Sequence, residues 1–215
     1  MGGFKVKAAL LAVAVAVVVG AAPASASAAE FKAGAYPATL TGSQLAGERI
    51  QTFFGGSEVV CETATLAGTL AAASAEVLVH PVFGTCKAFG FVSATFTTTG
   101  CNYKVHVGAL EGTDIWDGSY DIVCEAGKSI RVTAGTCELE IKSVNGIKEL
   151  DLIDETGAAA DMTWRPLLAN IPYTVTKDGV GCPLASTGNF NNGSGIGRYT
   201  VTATAGGGAT KFEVS

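Results

Sequence analysis

Apolar and polar residues alternate with a period of two along most of the chain after residue 56, and glycine-rich breaks separate the runs. Clear cases are Ser57-Glu-Val-Val-Cys61, Glu76-Val-Leu-Val-His80, Val92 to Thr98, Tyr103-Lys-Val-His-Val107, Cys137 to Lys142, Tyr173-Thr-Val-Thr176 and Tyr199-Thr-Val-Thr-Ala203. In the fifth of these, Cys137, Leu139 and Ile141 fall on one face, with Glu138, Glu140 and Lys142 on the other. One dry and one wet face is the pattern of a strand in an antiparallel sheet. β-Branched and aromatic residues dominate the runs, as strands favour. Gly55-Gly56 predicts a hairpin turn, and Glu125-Ala-Gly-Lys128 predicts another between Asp121-Ile-Val-Cys124 and Ser129-Ile-Arg-Val132. Asn189 to Gly197 reads as a polar, glycine-rich loop, and Ala205 to Ala209 as a turn before a last strand, Thr210 to Val214. Only Ala67 to Ala75 carries helix-favouring residues, and Gly68 and Thr69 interrupt it. The pattern predicts an all-β fold, an antiparallel β-sandwich. Val59-Val-Cys-Glu62 echoes Ile122-Val-Cys-Glu125, Gly84-Thr-Cys86 echoes Gly135-Thr-Cys137, and Cys61-Glu-Thr-Ala-Thr65 echoes Cys182-Pro-Leu-Ala-Ser186. Short echoes of this kind leave open two related β subdomains meeting near residues 110–118.

The first 28 residues follow a different grammar. Lys5 and Lys7 precede an apolar run from Ala8 to Val19, then small residues, Pro23 and an Ala26-Ser27-Ala28 cleavage site. This is the layout of a secretory signal peptide. Its apolar core is shorter than the roughly 20 residues a membrane span needs. The expectation is residues 1–28 as leader and 29–215 as a secreted β region beginning at Ala29, with no stable membrane insertion after cleavage. Without Lys5 and Lys7 the remainder holds 12 basic against 19 acidic residues, a net charge of −7. That balance argues against nucleic acid or an anionic lipid surface as partner, since both need clustered Lys and Arg.

All six cysteines lie after the leader: Cys61, Cys86, Cys101, Cys124, Cys137 and Cys182. An even number, wide spacing and an export signal predict three disulfides. No C-x-x-C pair suggests zinc or redox chemistry. The favoured pairing is Cys86–Cys101, Cys124–Cys137 and Cys61–Cys182. Cys124 closes one strand and Cys137 opens another after a hairpin, Cys86 and Cys101 flank the single strand Val92 to Thr98, and the third pair joins the cysteines left over, which sit in similar C-x-x-A-[ST] contexts. The rival joins Cys61 to Cys86 and Cys101 to Cys182.

Tyr36-Pro-Ala-Thr-Leu-Thr-Gly42, Gly84-Thr-Cys-Lys-Ala-Phe-Gly90, Gly100-Cys-Asn-Tyr103, Asp121-Ile-Val-Cys-Glu-Ala-Gly-Lys-Ser129 and Tyr173-Thr-Val-Thr-Lys-Asp-Gly179 give the chain a wider likeness. It resembles an uncharacterised family of small secreted cysteine-containing β proteins from high-GC Gram-positive bacteria. The resemblance covers most of the chain after the leader and is most specific around the cysteines. It implies export and a shared cysteine framework, and it carries no catalytic residue.

Candidate chemistry is sparse. His80 and His106 are the only histidines, too few for the three protein ligands of a catalytic zinc. Asp114, Asp117 and Asp121 surround Gly118, but out of the order of a calcium-binding loop. Glu149, Asp151, Asp154 and Glu155 form a second acidic group. Gly193-Ser-Gly-Ile-Gly197 lacks the spacing of a nucleophile elbow. Gly127-Lys128-Ser129 lacks the upstream glycine of a phosphate loop. Asn192-Gly-Ser194 is a glycosylation sequon, read only as a mark of an exposed loop. Trp116, Tyr120, Trp164, Tyr173 and Tyr199 are candidates either for a binding surface or for the core. No metal or cofactor is expected. The reading that results is a secreted, non-enzymatic β module, structural or binding, at the cell surface or outside the cell, with a protein or glycan as candidate partner. The alternative is an extracellular hydrolase using carboxylates such as Asp114, Asp117 or Asp121 in a cleft.

Overall fold

The computed structural model describes residues 28–154, 161–184 and 186–215. Residues 1–27, which hold most of the expected leader, and Glu155 lie outside the described residues. Every regular element among the described residues is a strand, and all pairings are antiparallel. The all-β, sandwich-like class read from the alternation is therefore observed.

The strands form eight long staves. Three run unbroken: β4 (Ser57–Leu70), β5 (Glu76–Ala88) and β12 (Asp161–Asp178). Five are interrupted part-way and consist of two consecutive strands. These are β2 (Ala38–Gln44) with β3 (Ile50–Phe54), β6 (Val92–Thr97) with β7 (Cys101–Leu110), and β8 (Ile115–Cys124) with β9 (Ile130–Ala134). The others are β10 (Cys137–Ile141) with β11 (Val144–Asp154), and β13 (Gly188–Ile196) with β14 (Tyr199–Ala205). The two strands of a broken stave do not pair with each other. Both pair with the same neighbouring staves: β2 and β3 with β4, β6 and β7 with β5, β10 and β11 with β12, β13 and β14 with β12. β7–β8 and β6–β9 join the fourth stave to the fifth, and β8–β11 and β9–β10 join the fifth to the sixth. β14–β2 and β13–β3 join the last stave to the first. The result is an up-and-down barrel in which the two walls of the sandwich are continuous, and closure leaves it no free edge.

Inward positions are apolar and outward positions carry mainly Thr, Glu and Lys. On β10, Leu139 and Ile141 are buried while Glu138 and Glu140 are half-buried, Glu138 beneath Lys177 and Glu140 beside Arg131. One pole is covered by a two-stranded ribbon, β1 (Phe31–Ala33) with β16 (Phe212–Val214), while β15 (Gly208–Thr210) extends the wall beside β14. Phe31 lies 5.8 Å from Phe212 and 6.0 Å from Trp164, ring centre to ring centre, so the ribbon is keyed into the core. At the other pole Phe54, Tyr173 and Phe190 pack at 5.2 and 5.3 Å.

Several expectations are corrected. Gly188–Ile196 is strand β13 and not a loop. Its glycines permit close approach, and a Cβ on Gly193 would lie 2.7 Å from the carbonyl oxygen of Ile171 on β12. Glu125–Lys128 is not a hairpin turn, because β8 and β9 continue one stave instead of folding back on each other. Residues 67–70 belong to β4, and the last strand is confined to Phe212–Val214. Residues 110–118 form the turn of the β7–β8 hairpin and the start of β8.

Three disulfides are present, but the favoured pairing is wrong. The bonds are Cys61–Cys86, Cys101–Cys124 and Cys137–Cys182. Cys61 faces Cys86 directly across β4–β5, and Cys101 faces Cys124 across β7–β8, each with 4.0 Å between Cα atoms. Cross-strand register selects the partner, which proximity along the chain cannot. Cys124 and Cys137 open onto different neighbours, since β8 pairs with β7 and β11 and not with β10. The rival pairing was right only for Cys61–Cys86. The third bond ties the start of β10 to the connection after β12.

Candidate functional site

The five interruptions form a staggered waist: against β12 the sixth stave breaks beyond Glu140↔Thr174, and the last between Leu167↔Ile196 and Trp164↔Tyr199. At the waist the first and last staves are adjacent and both broken, between Gln44 and Ile50 and between Ile196 and Tyr199. One backbone hydrogen bond, Leu45 N–H to the Arg198 carbonyl at 2.9 Å, spans this seam. Outside the seam lies a groove of about 330 Å³ lined by Glu48, Arg49, Gln51, Arg165, Arg198 and the exposed pair Leu167 and Ile196. Leu167 and Ile196 are register partners on β12 and β13.

Inside the seam lies an apolar cavity of about 60 Å³. Ile50, Leu66, Phe83, Leu150, Trp164 and Leu168 line it together with Tyr103, Tyr120 and Tyr199, and it shares Gln51 and Ile196 with the outer groove. The cavity therefore abuts the groove through the wall. By contrast the core near the other pole, around Phe54, Phe89, Leu139 and Leu184, retains a void of only about 10 Å³. Burial pushes the phenols of Tyr103, Tyr120 and Tyr199 well above their ordinary value, and for Tyr120 the nearness of the other two adds to the effect. All three are neutral at physiological pH and act as amphipathic lining.

No protein-family profile, curated protein or solved structure matches this chain. Its chemistry has to be argued from the site alone.

The residues singled out in the sequence are placed as follows. Tyr120, Trp164, Tyr173 and Tyr199 are buried and Trp116 is half-buried, so these aromatics build the core and not a surface platform. Tyr120, Trp164 and Tyr199 meet at the cavity, while Tyr173 donates its hydroxyl to Asn192 Oδ1 at 3.0 Å near the far pole. Asn192 is exposed, on β13. Asp117 and Asp121 lie on strand β8 and not on a cation-binding loop. Asp121 accepts from the Gly146 N–H at 2.7 Å and pairs with His106 at 3.0 Å. Burial would raise its pKa, but the Gly146 N–H, the His106 hydrogen bond and the charges of His106 and Lys104 outweigh that and hold it low. His80 bonds the Cys101 carbonyl and Asn102 instead and shares no partner with His106. Asp154 is drawn upward by burial, its carboxylate taking the Val214 N–H, with Asp114 and Glu213 close by. None of Asp114, Asp117, Asp121 or Asp154 lines a cavity described above. Among the described residues no group of three or more His, Cys, Asp or Glu is placed to hold a metal.

The residues that sequence reading missed are the arginines of the groove. The chain has four arginines, and Arg49, Arg165 and Arg198 line it. They are separated by more than a hundred positions at the widest, so no local motif marks them.

Proposed function

We propose that the protein is a secreted, non-enzymatic binding module, working at the cell surface or outside the cell, which holds an apolar group of its ligand within the barrel. The observation that carries this reading is the apolar cavity placed beside a seam in an otherwise closed wall. Eight-stranded barrels have an interior just wide enough to be filled by side chains or to hold one small ligand. Here one pole is filled and the waist is not. The leader grammar and three disulfides support work in an oxidising compartment. A dry cavity of about 150 Å³ accommodates benzene, so the smaller recess here takes the terminal carbons of an aliphatic chain whose remainder lies along Leu167 and Ile196 in the groove.

Trp164 lines the recess and provides the readout. Trp116 is the other tryptophan; in a Trp116→Phe background, octanol should shift or quench the Trp164 emission saturably. A Leu66→Trp change in a Trp164→Phe, Trp116→Phe background, which fills the recess, should abolish the response to octanol while thermal unfolding stays cooperative. A linear, non-saturating response in the parent would reject the reading.

A further inference from the structure

Three features outside the apolar recess stand out. The His106, Asp121, Glu76 and Lys104 group is an outer-face cluster whose members satisfy one another. A second hollow of about 340 Å³ between Val144–Glu149 and Ala169–Asn170 has positive φ at Glu149 and Asn170, but no convergent ligand groups. The groove outside the seam is different, because it places charge and apolar surface together.

We infer that the groove and the recess form one site for a small amphipathic anion, with the anionic head on the arginines and the apolar end directed through the seam. This inference deepens the binding reading above and rests on it. Arg49 is exposed, and no ion-pair partner for it is found among the described residues. Arg198 is held by Glu48, Nη1 to Oε1 at 3.1 Å, and Arg165 by Asp151, Nε to Oδ2 at 2.8 Å. These pairs fix two guanidinium groups at the rim and leave Arg49 as the unmatched cation. Glu48, Asp151 and Glu58, the last accepting from Gln51 Nε2 at 3.0 Å, balance the three arginines, so the rim is locally neutral on a chain of −5 overall, and Arg49 is the guanidinium without an ion-pair partner among the described residues. The global balance opposes docking on an extended anionic surface. A single small anion experiences the local rim, where a guanidinium offers paired donors to carboxylate or phosphate oxygens.

The apolar half of the match is Leu167 and Ile196. Both are large hydrophobic side chains more than two-fifths exposed, paired in register, and set between the arginines and the recess. Beyond them Ile50, Leu168 and Trp164 continue the apolar path inward. Gly195 keeps the wall thin here, since a Cβ on it would come within 3.3 Å of the Gln51 carbonyl and 3.4 Å of Leu168. A head group such as carboxylate or phosphate with a short aliphatic chain satisfies both halves.

The test is titration of the full secreted chain with octanoate, octyl phosphate and octanol, each below its aggregation limit, at low and high salt. Isothermal calorimetry and, in the Trp116→Phe background, Trp164 emission are the readouts. Both anions, or one of them, should bind more tightly than octanol and lose the advantage as salt rises. Arg49→Gln should weaken the anions by about tenfold and leave octanol unchanged, while Arg131→Gln, on distant β9, should change neither. Whichever anion binds more tightly identifies the head group. Equal binding of octanol and both anions, or no effect of Arg49→Gln, would overturn this inference and leave the recess reading standing. No saturable binding of any of the three would overturn both.

Discussion

Where β4 and β5 cross the waist they are unbroken and pair over nine register positions, and the Cys61–Cys86 bond lies across them. Beyond β5, the breaks in the fourth and fifth staves are clamped together by Cys101–Cys124. On the neighbouring arc of wall the first and last staves break side by side with no covalent link, and Gly197 lies against the buried Ile50 side chain with Arg49 and Arg198 at the groove outside. The same barrel thus has a stapled arc and a seam. The difference teaches that interruptions in a stave are not by themselves weak points; what replaces the missing ladder decides. Cystine makes one arc a girdle, while the other is bridged by the Leu45–Arg198 backbone hydrogen bond and the Glu48–Arg198 ion pair.

Breaking the staple should have the largest effect. Replacing Cys101 and Cys124 together by alanine frees a loop spanning 23 positions. On the chain-entropy relation this costs about 3 kcal/mol, to be measured as a fall in the denaturant midpoint with a rise in its slope as the unfolded chain expands. Gly193→Ala attacks the wall next to the seam, where the new methyl meets the Ile171 carbonyl; overpacking there should cost about 1–3 kcal/mol, read by thermal unfolding.

Alkali should act on the seam's inner lining. Folded pKa values of Tyr103, Tyr120 and Tyr199 lie above the ordinary 10.0. The native state therefore keeps protons that the unfolded chain releases, and the contribution of these phenols to stability is constant below about pH 10 and falls as pH rises beyond it. Tyr120→Phe should flatten that decline in equilibrium unfolding between neutral and strongly alkaline pH. An unchanged alkaline slope would show that the phenols are wet, contrary to their burial. The smallest effect belongs to the rim. Glu48→Gln breaks a half-exposed pair with Arg198 and should shift stability by no more than about 1 kcal/mol. It should tighten anion binding by removing the competing carboxylate, as calorimetry with octanoate would show.

The class of fold was legible in the sequence because alternation is a local signal: Leu139 and Ile141 could only be buried on one face. Closure of the barrel was not. Glu125 to Lys128 has the composition of a turn, but composition marks a bend without saying whether the chain reverses, and here it runs on into the same stave. β13 was hidden for a related reason. Its glycines and asparagines lack strand propensity, and β12 and β3 on either side impose the extended conformation. The cysteines announced three bonds, but the partners depended on the β4–β5 and β7–β8 registers. The site was least legible. Arg49, Arg165 and Arg198 come from three staves, and only the closure of the last stave on the first brings them together.

The ribbon over one pole also bears on how the chain can be rewired. Glu30 and Ser215 exchange backbone hydrogen bonds at 3.1 Å in both directions, so the two ends of the described barrel emerge side by side. A short flexible linker from Ser215 to Ala29 would therefore close the chain without disturbing a stave, and new ends could be opened at the Phe89-Gly90-Phe91 turn, at the opposite pole, where Phe91 is already largely exposed. Such a permutant keeps all three cystine bonds and the seam but reverses the direction in which a fused partner would project. Any passenger attached at Ala29 or at Ser215 leaves from the ribbon pole, clear of the groove at the waist, so reporters can be added at both positions at once without covering the arginines.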